Sequence, residues 1–154
     1  MPLIAALTPP GHAVSHTDEI VEPVRFDVPA DLVGITAPTP SALHAYGLAR
    51  EFRSRGVPVV IGGPHATALP EEAARHADVV VVGEAEDTWQ RVIDDACRGK
   101  LEPVYVSNRQ APLAGLPAPR WDLIKGRRYG KSVTIATRGC PPRCDYCSIP
   151  LLYG

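Results

Sequence analysis

Val57-Pro58-Val59-Val60-Ile61-Gly62-Gly63-Pro64-His65 is a short β-branched run that ends on two glycines and a proline. Branched side chains suit a pleated, buried strand, and Gly-Gly-Pro is a turn. Two further runs read the same way. Residues 31–36, Asp-Leu-Val-Gly-Ile-Thr, form a buried strand with a polar start, and residues 79–82 are four valines stopping at Gly83-Glu84.

Helical patterns lie between these strands. Ser41, after Pro40, is a good N-cap. Leu43, Ala45, Leu48, Ala49 and Phe52 then recur at helical spacing until Gly56. Pro70-Glu71-Glu72 opens another helix, with proline in the first turn and acids favoured by the helix dipole. Residues 86–98 follow as a third, placing Trp89, Val92, Ile93 and Ala96 on one face before Gly99. Upstream, residues 3–7 read as the last turns of a helix halted by Pro9-Pro10-Gly11, and a strand is expected near 20–24.

Alternating strands and helices imply an α/β fold: a doubly wound parallel sheet with right-handed crossovers. Ligands of such sheets bind at the carboxyl ends of the strands. The loops of interest are therefore 36–39, 62–65 and 83–86. Gly62, Gly63 and Gly83 allow close backbone approach to a ligand, or simply make tight turns. His65 could contact a cofactor or be polar surface, and Glu84 and Glu86 could serve a site or complement a helix N-terminus.

Beyond residue 101 the periodicity fades into Pro112, Pro117 and Pro119, and residues 102–130 read as a connector. Residues 131–137, Lys-Ser-Val-Thr-Ile-Ala-Thr, form a new strand that runs into Arg138-Gly139-Cys140-Pro141-Pro142-Arg143-Cys144-Asp145-Tyr146-Cys147. Three thiolates on one tight loop can hold three corners of an iron–sulfur cube and leave the fourth iron open. A zinc site would need four ligands. Cys97 is distant and sits in a helical pattern, and the last histidine, His76, is far upstream.

C-x3-C-x-aromatic-C resembles the signature of the radical S-adenosylmethionine (radical SAM) superfamily. On that resemblance Cys140, Cys144 and Cys147 hold a 4Fe–4S cluster, and Tyr146 lies against the adenosine of S-adenosylmethionine. Reductive cleavage of the sulfonium then gives a 5′-deoxyadenosyl radical. Residues 57–65 and 79–86 resemble the cobalamin-binding-type, Rossmann-like domain that precedes many radical SAM domains. Gly62, Gly63, His65, Gly83 and Glu84 are its implied cobalamin contacts. The D-x-H-x-x-G motif that supplies a cobalt ligand in many such domains is absent; Gly11-His12 and Ser15-His16 do not replace it.

The resemblance implies a clipped cobalamin-binding-like domain over 1–101, the connector, and over 131–154 the first strand and cluster loop of a partial (β/α) barrel that stops early. It implies a radical SAM enzyme, in the cobalamin-dependent case a methyltransferase, with a small-molecule substrate and an electron donor protein. The isolated piece is expected to be inactive. From another class, the chain is a non-catalytic cobalamin- or nucleotide-binding α/β module.

Bulk properties exclude other classes. A net charge of −1 over 154 residues gives no electrostatic case for nucleic acid or an anionic membrane. No apolar run approaches the ~20 residues of a membrane span, and no basic segment opens a signal peptide. Clustered cysteines suit metal binding in a reducing compartment, so the expected location is cytoplasmic.

Overall fold

The computed structural model describes residues 1–107, 113–125, 129, 137–142 and 144–153. Helix α1 (Pro2–Leu7) precedes strand β1 (Val33–Thr36), helix α2 (Ala42–Ser54) and strand β2 (Val59–Gly62). Short helices α3 (Pro64–Ala68) and α4 (Pro70–Ala74) lead to strand β3 (Val79–Val82). Helix α5 (Trp89–Cys97), strand β4 (Val104–Val106) and helix α6 (Ile149–Tyr153) follow.

The four strands form one parallel sheet in the order β1-β2-β3-β4. Val33 pairs with Val59, Thr36 with Gly62, Val60 with Val79 and Val81 with Tyr105. This register brings the carboxyl ends of all four strands to one edge. Val59, Val60, Ile61 and Val79 to Val81 are almost wholly buried, as expected of inner parallel strands covered on both faces.

One face carries α2, α3 and α4. Tyr46, Ala49 and Phe52 meet Ala66 and Ala73 over Val59, Ile61 and Val80. The other carries α5, whose Val92 lies with Val60, Val79, Val81 and Tyr105, while α1 sits beside α5. Each buried valine contributes about 1.5–3 kcal/mol relative to exposure. Asp78 ties the entry of β3 to its neighbours: its carboxylate accepts from the Val59 N–H at 2.9 Å and from Arg53 Nε at 3.0 Å.

Local details depart from the sequence reading. Residues 20–24 form no strand. The Asp18 carboxylate accepts the Ile20 N–H at 2.9 Å and its carbonyl accepts those of Val21 and Glu22, so a turn takes the backbone donors that a sheet would need. Ile20 is 86% exposed. Leu43 is exposed too, because α2 buries Ala42, Ala45, Tyr46, Ala49 and Phe52, a stripe that leaves Leu43 to one side.

Ser41 closes a 3₁₀ turn (Thr39–Ser41) and makes no side-chain cap bond. The helix expected from residue 86 begins at Trp89, after a 3₁₀ turn at Ala85–Asp87. β4 lies within the stretch read as connector, where three residues are too few to show a period. Residues 131–136 of the expected strand lie outside the described residues. Among the described residues no helix is long and apolar enough to cross a membrane.

Candidate cofactor cavity and cysteine loop

The carboxyl ends of the strands turn on glycines. Gly63 has φ +93°, and a Cβ there would stand 2.3 Å from Thr36 Oγ1. Gly83 has φ +83°, donates its N–H to Thr67 Oγ1 at 3.0 Å, and would press a Cβ to 3.1 Å from the Ser107 carbonyl oxygen. Both positions therefore need glycine for the turn itself.

Beyond these turns lies a cavity of 630 Å³, within the usual range for small-molecule sites, about 300–1,000 Å³. Gly34, Gly62, Gly63 and Gly83 line the sheet side, and Leu3, Ile4 and Trp89 line the helix side. Trp89 is held by Nε1–H donation to Thr8 Oγ1 at 3.0 Å, and its ring lies 3.5 Å from where a Gly34 Cβ would stand. The remaining wall comes from the far end of the chain: Thr137, Arg138, Gly139 and Ile149.

Arg138 ties that wall down. Its Nη1 donates to Glu84 Oε1 at 2.9 Å and its Nη2 to Glu86 Oε1 at 2.5 Å. Burial alone would lower the guanidinium pKa, but the hydrogen bonds and charges of Glu86 and Glu84 outweigh it and push the pKa up. Glu84 and Glu86, read from sequence as site or helix-end residues, thus lie at the cavity lip paired with a residue more than fifty positions away.

Directly after this wall the chain turns at Gly139, φ +79°, into the cysteine loop. Cys140 and Cys144 are exposed, Cys147 is half-buried, and all three thiols are free. The Cys147 N–H donates to the Cys144 carbonyl at 3.0 Å, closing the C-x2-C turn, and Tyr146 is fully presented to solvent. The donor chemistry fits an iron–sulfur cluster. As placed, no group of three or more Cys, His, Asp or Glu side chains among the described residues converges to hold a metal ion.

His65 does not face the cavity. It is 4% exposed, inside the core under α2. Its Nε2 lies 2.8 Å from the Tyr46 hydroxyl and 3.3 Å from Glu72 Oε1, and its Nδ1 lies 3.3 Å from Thr39 Oγ1. Tyr46 donates to Glu72 at 3.1 Å. If His65 carries its proton on Nε2 and Thr39 donates to Nδ1, every group in this network is satisfied. Both ring nitrogens are taken up within the protein, so His65 braces the turn after Gly63.

Of the residues singled out from sequence, Gly62, Gly63, Gly83 and Glu84 meet in the cavity, and the stretch leading to Cys140 joins them. The sequence places Trp89 only on one face of a helix; as the first residue of α5, after the third strand, it stands at the carboxyl edge. The role of Arg138 carries no local signal beyond its position before Cys140.

Comparison with known proteins agrees with this architecture. The B12 binding domain family matches residues 7–93. Bacteriochlorophyllide d C-8(2)-methyltransferase of Chlorobaculum tepidum is 39% identical over 99% of this chain and 36% of its own length. Bacteriochlorophyllide d C-12(1)-methyltransferase of the same organism is 34% identical over 80% of this chain and 28% of its own. Hopanoid C-2 methylase of Rhodopseudomonas palustris is 27% identical over 99% and 30%. The chain thus spans roughly a third of the length of these relatives. With a parallel sheet, a cavity at its carboxyl edge and a family match across most of that sheet, the chain belongs to the B12-binding domain family.

Proposed function

We propose that this chain is the cofactor-binding portion of a cobalamin-dependent methyltransferase of the radical SAM type. The observation that carries the reading is the shared cavity: the sheet edge of a B12-binding domain forms one side, and the residues leading into Cys140 form another. The methyltransferase relatives support the reaction class.

In this reading the glycine turns and Trp89 receive part of a corrinoid, whose bulk exceeds the cavity. Cys140, Cys144 and Cys147 would hold a 4Fe–4S cluster, with Tyr146 against S-adenosylmethionine. When bound, the cluster supplies an electron to the sulfonium and the corrinoid carries the methyl group. The chain's own residues bind and orient: Leu3, Ile4 and Trp89 offer a ligand an apolar wall to cover, and the Arg138 ion pairs fix the lip of the cavity. A small-molecule acceptor, an electron donor protein and a reducing, cytoplasmic setting belong to the same proposal.

Two measurements test it. Hydroxocobalamin titrated against the chain should bind with one-to-one stoichiometry. Anaerobic iron and sulfide reconstitution should give a reduced-cluster paramagnetic signal that changes with S-adenosylmethionine and disappears in Cys144→Ala. No corrinoid binding would overturn the cobalamin assignment. No cluster, even in a chain extended to the length of the relatives, would reduce the reading to a ligand-binding α/β module.

A further inference from the structure

Arg138 stands two residues before Cys140, yet its guanidinium reaches the exit of β3. The side chains of Glu84 and Glu86 are only 7% and 10% exposed, and that of Arg138 is 23% exposed. Charges this deep behave differently from surface pairs: removing the arginine takes the guanidinium from both carboxylates at once, with the Met1 ammonium still acting on Glu86. Both carboxylates sit where the chain leaves the sheet. Glu84 directly follows Gly83, and Glu86 is in the 3₁₀ turn Ala85–Asp87. A single planar fork spans the two acids, which a lysine's point charge would not do equally well.

We propose that Arg138 is a latch, a positioning residue that holds the stretch leading into the cysteine loop as a wall of the sheet's cavity. By clamping Glu84 and Glu86 it keeps Thr137 and Gly139 against the mouth, so a ligand in the cavity and the loop that follows are fixed relative to each other. The latch stands on the ion-pair geometry. Its coupling to ligand rests on the cobalamin reading above.

Hydrogen–deuterium exchange and hydroxocobalamin binding, measured together on the whole chain, test both parts. Arg138→Met should speed amide exchange at residues 137–140 and 144–147 by about tenfold or more while leaving β2 and α2 unchanged, the pattern of a local opening. Hydroxocobalamin affinity should weaken by about tenfold, and Arg138→Lys should fall between. A paired Glu84→Gln, Glu86→Gln variant keeps the shapes and removes the buried charges, so it serves if Arg138→Met fails to fold.

Unchanged exchange at 137–140 in both kinds of variant would overturn the latch. Faster exchange with unaltered hydroxocobalamin affinity would overturn its coupling to ligand. If the unmodified chain binds no hydroxocobalamin, the cobalamin reading and the coupling fall together, and exchange alone then decides the latch.

Discussion

Trp89 Nε1 donates to Thr8 Oγ1 at 3.0 Å, joining the first turn of α5 to the residue that caps α1 across 81 positions of sequence. This bond sets the indole on the cavity wall instead of against solvent. The other tryptophan, Trp121, is 60% exposed. A coloured corrinoid in the cavity should therefore quench Trp89 emission by energy transfer. A Trp121→Phe variant isolates the emission of Trp89, which the corrinoid should quench; unquenched emission in that variant would place the ligand elsewhere.

Thr8→Val keeps the shape of residue 8 but removes the acceptor for the indole N–H. It should cost about 1–2 kcal/mol in urea unfolding, the penalty for a half-buried donor left unpaired.

Gly63 and Gly47 make a matched contrast. At Gly63 a Cβ meets both a φ of +93° and Thr36 Oγ1 at 2.3 Å, so Gly63→Ala should destabilise by about 2–4 kcal/mol. Adding Thr36→Ala should recover the steric part and leave the backbone strain. At Gly47, inside α2, a Cβ meets nothing within 4 Å, and Gly47→Ala should stabilise by about 0.5–1 kcal/mol. Thermal or urea denaturation reads all three variants.

Tyr105 is fully buried, with its hydroxyl donating to Asp95 Oδ2 at 2.8 Å and accepting the Glu102 N–H at 3.1 Å. Tyr105→Phe fills the same space but strips both partners, which should cost about 1–3 kcal/mol. A loss below a few tenths would mean that water satisfies them.

Alkaline stability follows from three tyrosines. Burial pushes up the pKa of Tyr46, helped by its bond to Glu72, and burial likewise raises that of Tyr105. The hydrogen bond to Asp18 takes Tyr129 to about 12. Each phenol is held neutral in the folded chain, so its contribution is fully present below the unfolded value of 10.0 and is lost as pH rises through the folded value. The unfolding midpoint should fall between about pH 10 and 12, and Tyr129→Phe should flatten that fall. Tyrosinate absorbance should show these groups ionising together with unfolding; early ionisation with no loss of structure would contradict it.

The β-branched runs at 59–61 and 79–81 are legible in the sequence because strand character there depends on side-chain branching and burial, which repeat locally. β4 carries little local signal because Val104-Tyr105-Val106 is stabilised mainly by pairing with β3 and by the buried Tyr105 ring. The strand expected at 20–24 failed for a local reason, the Asp18 side chain competing for the backbone. Leu43 failed because helical spacing defines several possible stripes, and only packing against the sheet chose the one through Tyr46.

By itself the sequence determined the α/β character of the chain, the glycine turns at the carboxyl edge and the crowding of three thiols, Cys140, Cys144 and Cys147, into one short loop. Each of these rests on residues within a few positions of one another. Only the tertiary structure decided that His65 turns inward to Tyr46 and Glu72 while Trp89 turns to the cavity, and that Glu84 and Glu86 find their partner in Arg138. Those outcomes are long-range. A buried polar or charged group must be matched by some partner, but which distant residue arrives is set by how the whole sheet and its helices close around it.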